Sequence, residues 1–221
     1  MKKKYLPLVI IGVVLLLDQT LKFWVKTNML LGQEFVIFSW FRIFFLENDG
    51  MAFGLTFGGA HGKLILSLLR IVVVIGIIWW IYDLIRKNES RWVIAAISLV
   101  AAGALGNIID GTFYGLLFSE SGVYGWIGAE VAQFLPETGG YAAFLHGNVV
   151  DMFYFPLFEA TWPQWFPWVG GRDFIFFSPV FNIADSAIFC GVVLFFITQI
   201  RQGKVEIIPS KEKKAAIEAN L

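Results

Sequence analysis

The chain is short of charge, cysteine and histidine. Charged residues make up 15% of 221 positions, where soluble domains carry about 25%. The charges balance to zero, and no basic stripe exists away from the termini, which argues against nucleic acid as a partner. Cys190 is the only cysteine, so an intramolecular disulfide is excluded. His61 and His146 are far apart, and no tight Cys/His motif is present, which speaks against a zinc site. Carboxylate-rich metal sites are not excluded by this alone, but no metal or other cofactor is expected. An internal repeat is also lacking, so an inverted-repeat transporter has no direct support.

What the chain has is apolar sequence. Hydrophobic residues reach 57% and the mean hydropathy is +0.70, against about 45–50% apolar in soluble domains. Four stretches approach the roughly 20 residues that a spanning helix needs: 5–24, 64–85, 92–114 and 180–200. The first follows MKKK and resembles a secretory signal peptide. No small-x-small cleavage site follows it, and Asp18-Gln19-Thr20-Leu21-Lys22-Phe23-Trp24 continues with helical character. It reads as a retained anchor helix. The fold class expected is a mainly α membrane protein: four transmembrane helices, a small β-rich extracytoplasmic region, and one domain over 1–221.

Lys and Arg set the orientation. With four spans, eleven fall on one side: Lys2, Lys3, Lys4, Arg86, Lys87, Arg91, Arg201, Lys204, Lys211, Lys213 and Lys214. The other side has Lys22, Lys26, Arg42, Lys63, Arg70 and Arg172. Both termini, including a solvated tail over 202–221, are therefore expected in the cytoplasm. Two long loops, 27–63 and 115–179, face outward. In the first, EFVIFSWFRIFFLEN reads as strand and GMAFGLTFGGAHG as turns. Trp24, Trp40, Trp126, Trp162, Trp165 and Trp168 lie in or beside these loops, and Trp favours the headgroup level. The outer region is expected to lie down on the membrane, with lipids as partners.

The polar residues of this apolar chain gather at one level. Asp18 and Lys22 are four apart and share a helix face near the outer end of span one. Asn107 and Asp110 lie near the outer end of span three, and Asn182 and Asp185 at the outer entry to span four. Asn48 and Asp49 precede a glycine-rich turn, and Asp151 ends the apolar run GNVVD. A carboxylate near a bilayer is expensive, so a chain that keeps several uses them. Two that converge would share a proton, the chemistry of aspartic proteolysis.

Each residue also has a plainer reading. Asp18 with Lys22 reads as a structural or substrate-orienting ion pair. Asn107 reads as interhelical glue for backbone groups, and Asp110 as structural. Asn182 reads as an N-cap, with Asp185 in the favourable first turn. Cys190 reads as a small buried hydrophobe, and His61 and His146 as loop residues.

Five blocks then carry a resemblance: DQTLK at 18–22, ENDGMAFG at 47–54, GALGNIID at 103–110, VVDMF at 149–153 and FNIADSAI at 181–188. In this order they resemble the lipoprotein signal peptidases, or signal peptidase II, four-span aspartyl proteases of the bacterial inner membrane. The resemblance implies Asp151 and Asp185 as the catalytic dyad. It implies Asn48 and Gly50 near the substrate, Asn107, Asp110 and Asn182 shaping the site, and Asp18 with Lys22 as the pair of span one. It implies a lipid-modified prolipoprotein as substrate, cleaved before its diacylglyceryl cysteine by water that the two aspartates activate. The active site would face the periplasm, and the protein is expected to be a monomer. Two departures stand out. Gly111 occupies the place where the family pattern has an arginine, and 115–148 and 157–177 are insertions resembling an enlarged outer lid. The competing readings are an ion-coupled small-solute carrier using rim carboxylates and a non-catalytic lipid-binding or assembly protein.

Overall fold

A computed structural model describes residues 2–48, 59–176 and 179–203. A short 3-10 turn, Lys3–Tyr5, leads into α1 (Leu6–Asn28). A hairpin follows, β1 (Glu34–Phe38) and β2 (Phe41–Asn48), and then α2 (Gly59–Arg86). Helix α3 (Arg91–Ile109) runs on through a π-helical turn (Asp110–Tyr114) into a final turn, α4 (Gly115–Leu117). Four strands come next: β3 (Val149–Tyr154), β4 (Phe158–Thr161), β5 (Asp173–Phe176) and β6 (Val180–Phe181). Helix α5 (Ile183–Arg201) closes the described chain. Four helical segments among the described residues, 3–28, 62–86, 91–117 and 183–201, are long and apolar enough to cross a membrane.

Helix α3 is the centre of the bundle. Half of its most apolar window is buried, against about a fifth or less in the other three. The reason is its run of small residues. Ala96, Ser98, Ala101, Ala102, Gly103 and Gly106 are all buried, which lets neighbouring backbones approach closely. A Cβ on Gly103 would collide with the Ala184 carbonyl of α5, and one on Gly106 would stand 2.7 Å from the Asp18 carboxylate of α1. These two glycines therefore bring α1, α3 and α5 together at the level of the polar residues.

The sheet order is β1-β2-β3-β6, all antiparallel. Strand β3 is central and fully buried over its first four residues. Its register sets Val149 against Asn48 and Asp151 against Leu46. Strands β4 and β5 form a separate hairpin. Lys3 donates to the carbonyls of Asn88 and Glu89 at 2.9 and 2.7 Å, so the N-terminus and the α2–α3 turn sit at the same end of the bundle.

Several details differ from the sequence reading. Helix α1 continues to Asn28 because Lys22 and Lys26 are sequestered in ion pairs rather than marking the helix end. Val180 and Phe181 extend the sheet against Tyr154 and Phe153, so α5 starts at Ile183. His61 belongs to α2 rather than to a loop. Cys190 is exposed on α5. Apolar neighbours imply burial in a soluble domain, but a spanning helix turns its apolar surface outward. Trp126, Trp165 and Trp168 are strongly exposed in the two inserted segments.

Candidate active site

The site is built where the C-terminal ends of α1 and α3, the start of α5 and strand β3 meet. Its foundation is a stripe on α1. Asp18, Lys22 and Lys26 recur every four residues, share one helix face, and are all essentially inaccessible. Lys22 Nζ lies 2.9 Å from Asp18 Oδ2 and 2.7 Å from Asp110 Oδ2, and it donates to Asn107 Oδ1 at 3.0 Å. A lysine ammonium has three N–H donors, and all three are used. Gln19 adds a second link, donating to Asp110 Oδ1 at 2.9 Å and to Asp18 Oδ2 at 3.1 Å. Asp18 Oδ1 accepts the Ala184 N–H at 2.9 Å, which anchors the start of α5. Asp110 Oδ2 accepts the Val150 N–H at 3.3 Å, which anchors β3 one residue before Asp151.

The second layer carries Asp151 and Asp185. Asn182 joins them. Its side-chain amide donates to Asp151 Oδ1 at 2.7 Å, and its backbone N–H reaches Asp185 Oδ2 at 3.4 Å. The Asn182 Oδ1 in turn accepts the Asp185 N–H at 2.8 Å, completing a capping box at the N-terminus of α5. The helix-cap reading of Asn182 and Asp185 thus describes their geometry. It does not exhaust it, because the box leaves the second Asp185 oxygen free for another partner. That oxygen accepts the Asn107 amide at 2.8 Å. Asn107 therefore serves side chains, Lys22 and Asp185, rather than the backbone groups expected of it. Asn48 donates to Asp151 Oδ2 at 3.4 Å from the end of β2. Gly50 lies outside the described residues.

Asp151 is 5% exposed. Burial first, and then the neighbouring charge of Asp185, push its carboxyl up to about 7, against the opposing pull of the Asn48 and Asn182 amides and of Lys22. Burial and the Asp185 charge thus favour the protonated Asp151 carboxyl up to near neutral pH, a property that suits a group giving and taking a proton. Among the described residues, no group of three or more His, Cys, Asp or Glu side chains is placed to hold a metal ion.

Other members of the network are long-range and were not anticipated. Lys26 Nζ donates to Glu47 Oε1 at 2.6 Å and to Ser121 Oγ at 3.0 Å. Asn148 donates to Glu47 Oε2 at 2.9 Å and accepts from Lys63. Burial would raise the Glu47 carboxyl, but the Lys26 charge and the donors around it outweigh that and hold it below its ordinary value. This second ion pair ties the inserted 115–148 segment to α1 and β2. The spacing of Lys26 behind Lys22 was the available signal. A cavity of about 560 Å³ opens over the same insertion, lined by residues such as Ser119, Trp126 and Glu130, and neither Asp151 nor Asp185 lines it.

The chain is similar to known proteins over most of its length. The family model for signal peptidase II matches residues 10–201. The lipoprotein signal peptidase of Porphyromonas gingivalis is 48% identical over 189 residues, covering 85% of this chain and 80% of that protein. The lipoprotein signal peptidase of Amoebophilus asiaticus is 36% identical over 198 residues, covering 88% and 76%. A solved bacterial membrane enzyme superposes with a TM-score of 0.55 at 27% identity, over 87% of this chain and 90% of its own. A second, at 23% identity, shares the fold with a TM-score of 0.56 over 93% and 94%. With a family match spanning four-helix core and sheet alike, this multi-pass membrane protein belongs to the signal peptidase II family.

Proposed function

We propose that Asp151 and Asp185 are the catalytic pair of this aspartic endopeptidase, which removes the signal peptide from lipoprotein precursors. The observation that carries the reading is the shared Asn182, which donates to both carboxylates from one residue. The substrate is a diacylglyceryl-modified prolipoprotein, and the bond cleaved precedes its lipid-modified cysteine. The precursor lies in the bilayer with its lipid between helices, and the scissile peptide reaches the rim where β3 meets α5.

The ionised aspartate takes a proton from water, whose oxygen attacks the peptide carbonyl. The protonated aspartate donates a hydrogen bond to that carbonyl oxygen, where negative charge develops. Collapse of the tetrahedral intermediate returns a proton to the leaving amine. The proton count balances within the pair, because each carboxyl exchanges roles once per turnover. Asn107 and Asn182 hold the carboxylates through neutral donors, which orient them without fixing their charge. The Asp18–Lys22–Asp110 cluster is the support on which α3, α5 and β3 are registered. The family pattern gives Asn48 and Gly50 a role near the substrate in this reading.

The protein acts in the cytoplasmic membrane with both termini inside, its site at the outer face, and as a monomer. The excess of Lys and Arg at the end that carries the N-terminus and the α2–α3 turn supports this orientation. A carrier using rim carboxylates is not favoured.

Asp151→Asn and Asp185→Asn test the assignment. General acid–base catalysis contributes about 10²–10⁴-fold, so either variant, present at the normal membrane level, is expected to lose cleavage of a lipidated precursor by at least about a hundredfold. Ordinary turnover by either folded variant would remove that aspartate from the pair.

A further inference from the structure

The Asp151 carboxylate is held from two directions. Asn182, the cap of α5, donates to its Oδ1 at 2.7 Å, and Asn48 of β2 donates to its Oδ2 at 3.4 Å. The Asn48 arm depends on how β2 pairs with β3, and that pairing is interrupted. Ile43 pairs with Phe153, but beyond an irregularity Leu46 pairs with Asp151 and Asn48 with Val149. The break adds a residue to β2, as a bulge does, so the pairing before it does not fix the register after it. A slip of one residue would carry Asn48 to the opposite face of the strand pair. The last three residues of β2 therefore need a lock of their own.

Glu47 is placed to be that lock. Opposed residues of an antiparallel pair share a face, and neighbours along a strand alternate. Asn48 and Asp151 therefore lie on one face, and Glu47, opposite Val150, lies on the other. On that back face Glu47 Oε2 accepts the side-chain amide of Asn148 at 2.9 Å, one residue before β3 begins. Glu47 Oε1 accepts from Lys26 Nζ of α1 and from Ser121 Oγ, each at 2.6 Å. Asn148 is itself held in one orientation. Its side-chain oxygen accepts from Lys63 of α2, and its backbone N–H donates to the Tyr141 hydroxyl at 2.6 Å. The rings of Tyr141 and Phe118 flank the Lys26 ammonium, with centroids 4.8 and 5.5 Å away. Lys26 is inaccessible and the Glu47 side chain is 10% exposed, so the clasp is sheltered from water. Ser121, Phe118 and Tyr141 all belong to the inserted segment 115–148.

We propose that Glu47 is a positioning residue: by clasping Asn148 behind the strand pair it fixes the register that brings Asn48 to Asp151, and the inserted segment is the brace that closes the clasp. This rests on the Asp151–Asp185 pair as the catalytic dyad. The two ideas fail differently. Ordinary turnover by folded Asp151→Asn would sink the dyad, whereas the Glu47 proposal is decided by a mutant cycle with both aspartates in place.

The experiment measures kcat and KM for a lipidated precursor peptide with purified full-length wild type, Glu47→Gln, Asn48→Ala and the double variant, each normalised to folded protein. Single turnover with enzyme in excess keeps the slow variants measurable. A glutamine at position 47 that keeps its oxygen on Lys26 and Ser121 turns its NH2 toward the NH2 of Asn148, so the clasp opens. Residues that act through one another show coupling of about twofold to a hundredfold. Glu47→Gln is expected to lower kcat by about fivefold or more, with KM near the wild-type value. In the Asn48→Ala background the same substitution is expected to cost nothing further, because the amide that it positions is gone. A loss that multiplies with that of Asn48→Ala would overturn the proposal. So would a wild-type kcat in Glu47→Gln, whether its KM or its melting temperature changes or not, since the ion pair would then be structural only. Should Glu47→Gln fail to fold, Asn148→Ala takes its place in the same cycle. It opens the clasp while leaving the Lys26–Glu47 pair intact, and the same outcomes decide.

Discussion

The protein holds two pairs of aspartates where α1, α3, α5 and β3 meet, and it treats them in opposite ways. Asp18 and Asp110 share Lys22, which stands within 2.9 Å of both. Asp151 and Asp185 share Asn182, which is neutral. A lysine between two carboxylates ties them into one ion-paired, rigid support. An amide between two carboxylates orients them and leaves the proton free to move. The same residue type thus becomes scaffold or candidate catalyst according to the partner that the neighbouring helix presents.

The largest expected effect comes from breaking the scaffold. Lys22→Met would leave Asp18 and Asp110 buried without their cation. Removing one partner of a buried ion pair costs about 3–5 kcal/mol. The variant is expected to unfold at markedly lower temperature in detergent, followed by thermal melting of the purified protein. A melting temperature equal to wild type would mean that the cluster is not the support described.

The next effect is on the link between the carboxylates. Asn182→Ala removes the donor to Asp151 and the α5 cap together, and a lost N-cap alone costs about 1 kcal/mol. Asn182→Ser keeps a capping oxygen but lacks the amide that reaches Asp151. Both variants are expected to lose cleavage, with Asn182→Ser retaining the thermal stability that Asn182→Ala loses. Equal activity in Asn182→Ser and wild type would show that the amide bridge is dispensable.

The smallest effect is the pH dependence that the comparison implies. The Asp151 carboxyl is raised to about 7 in the fold, whereas in the unfolded chain it ionises at its ordinary, lower value. Its stabilising contribution is therefore complete below the ordinary carboxylate range and is lost as pH rises through about 7. Activity is expected to fall over the same interval, since the pair loses its shared proton. Asp151→Asn cannot ionise, so its melting temperature is expected to hold between pH 6 and 8.5 where that of the wild type declines. Parallel declines in both proteins would place the titration elsewhere.

The sequence carried much of this, for identifiable reasons. Asp18 and Lys22 were legible because a four-residue spacing puts them on one face of a single helix. The Asn182 cap was legible because the residue precedes an apolar run with Asp185 three positions later. The four long apolar helices were legible from hydropathy alone. What could not be read depends on how separate elements face one another. Glu47 reaches Lys26 across 21 positions, Ser121 across 74, and Asn148 across 101. Asn107 was read as serving backbone because its own helix does not reveal that Asp185 stands opposite. Cys190 was read as buried because apolar context implies an interior, whereas a membrane helix presents that context to its surroundings.

Asp151 and Asp185 are proposed to act as one catalytic unit. The most direct measurement compares cleavage of a lipidated precursor by wild type, Asp151→Asn, Asp185→Asn and the double variant at equal amounts of folded protein. Groups that work as a unit show losses that do not add. The account predicts that the double variant is no slower than either single variant. A double variant slower by the product of the two single losses would contradict it, and would mean that the two aspartates act independently.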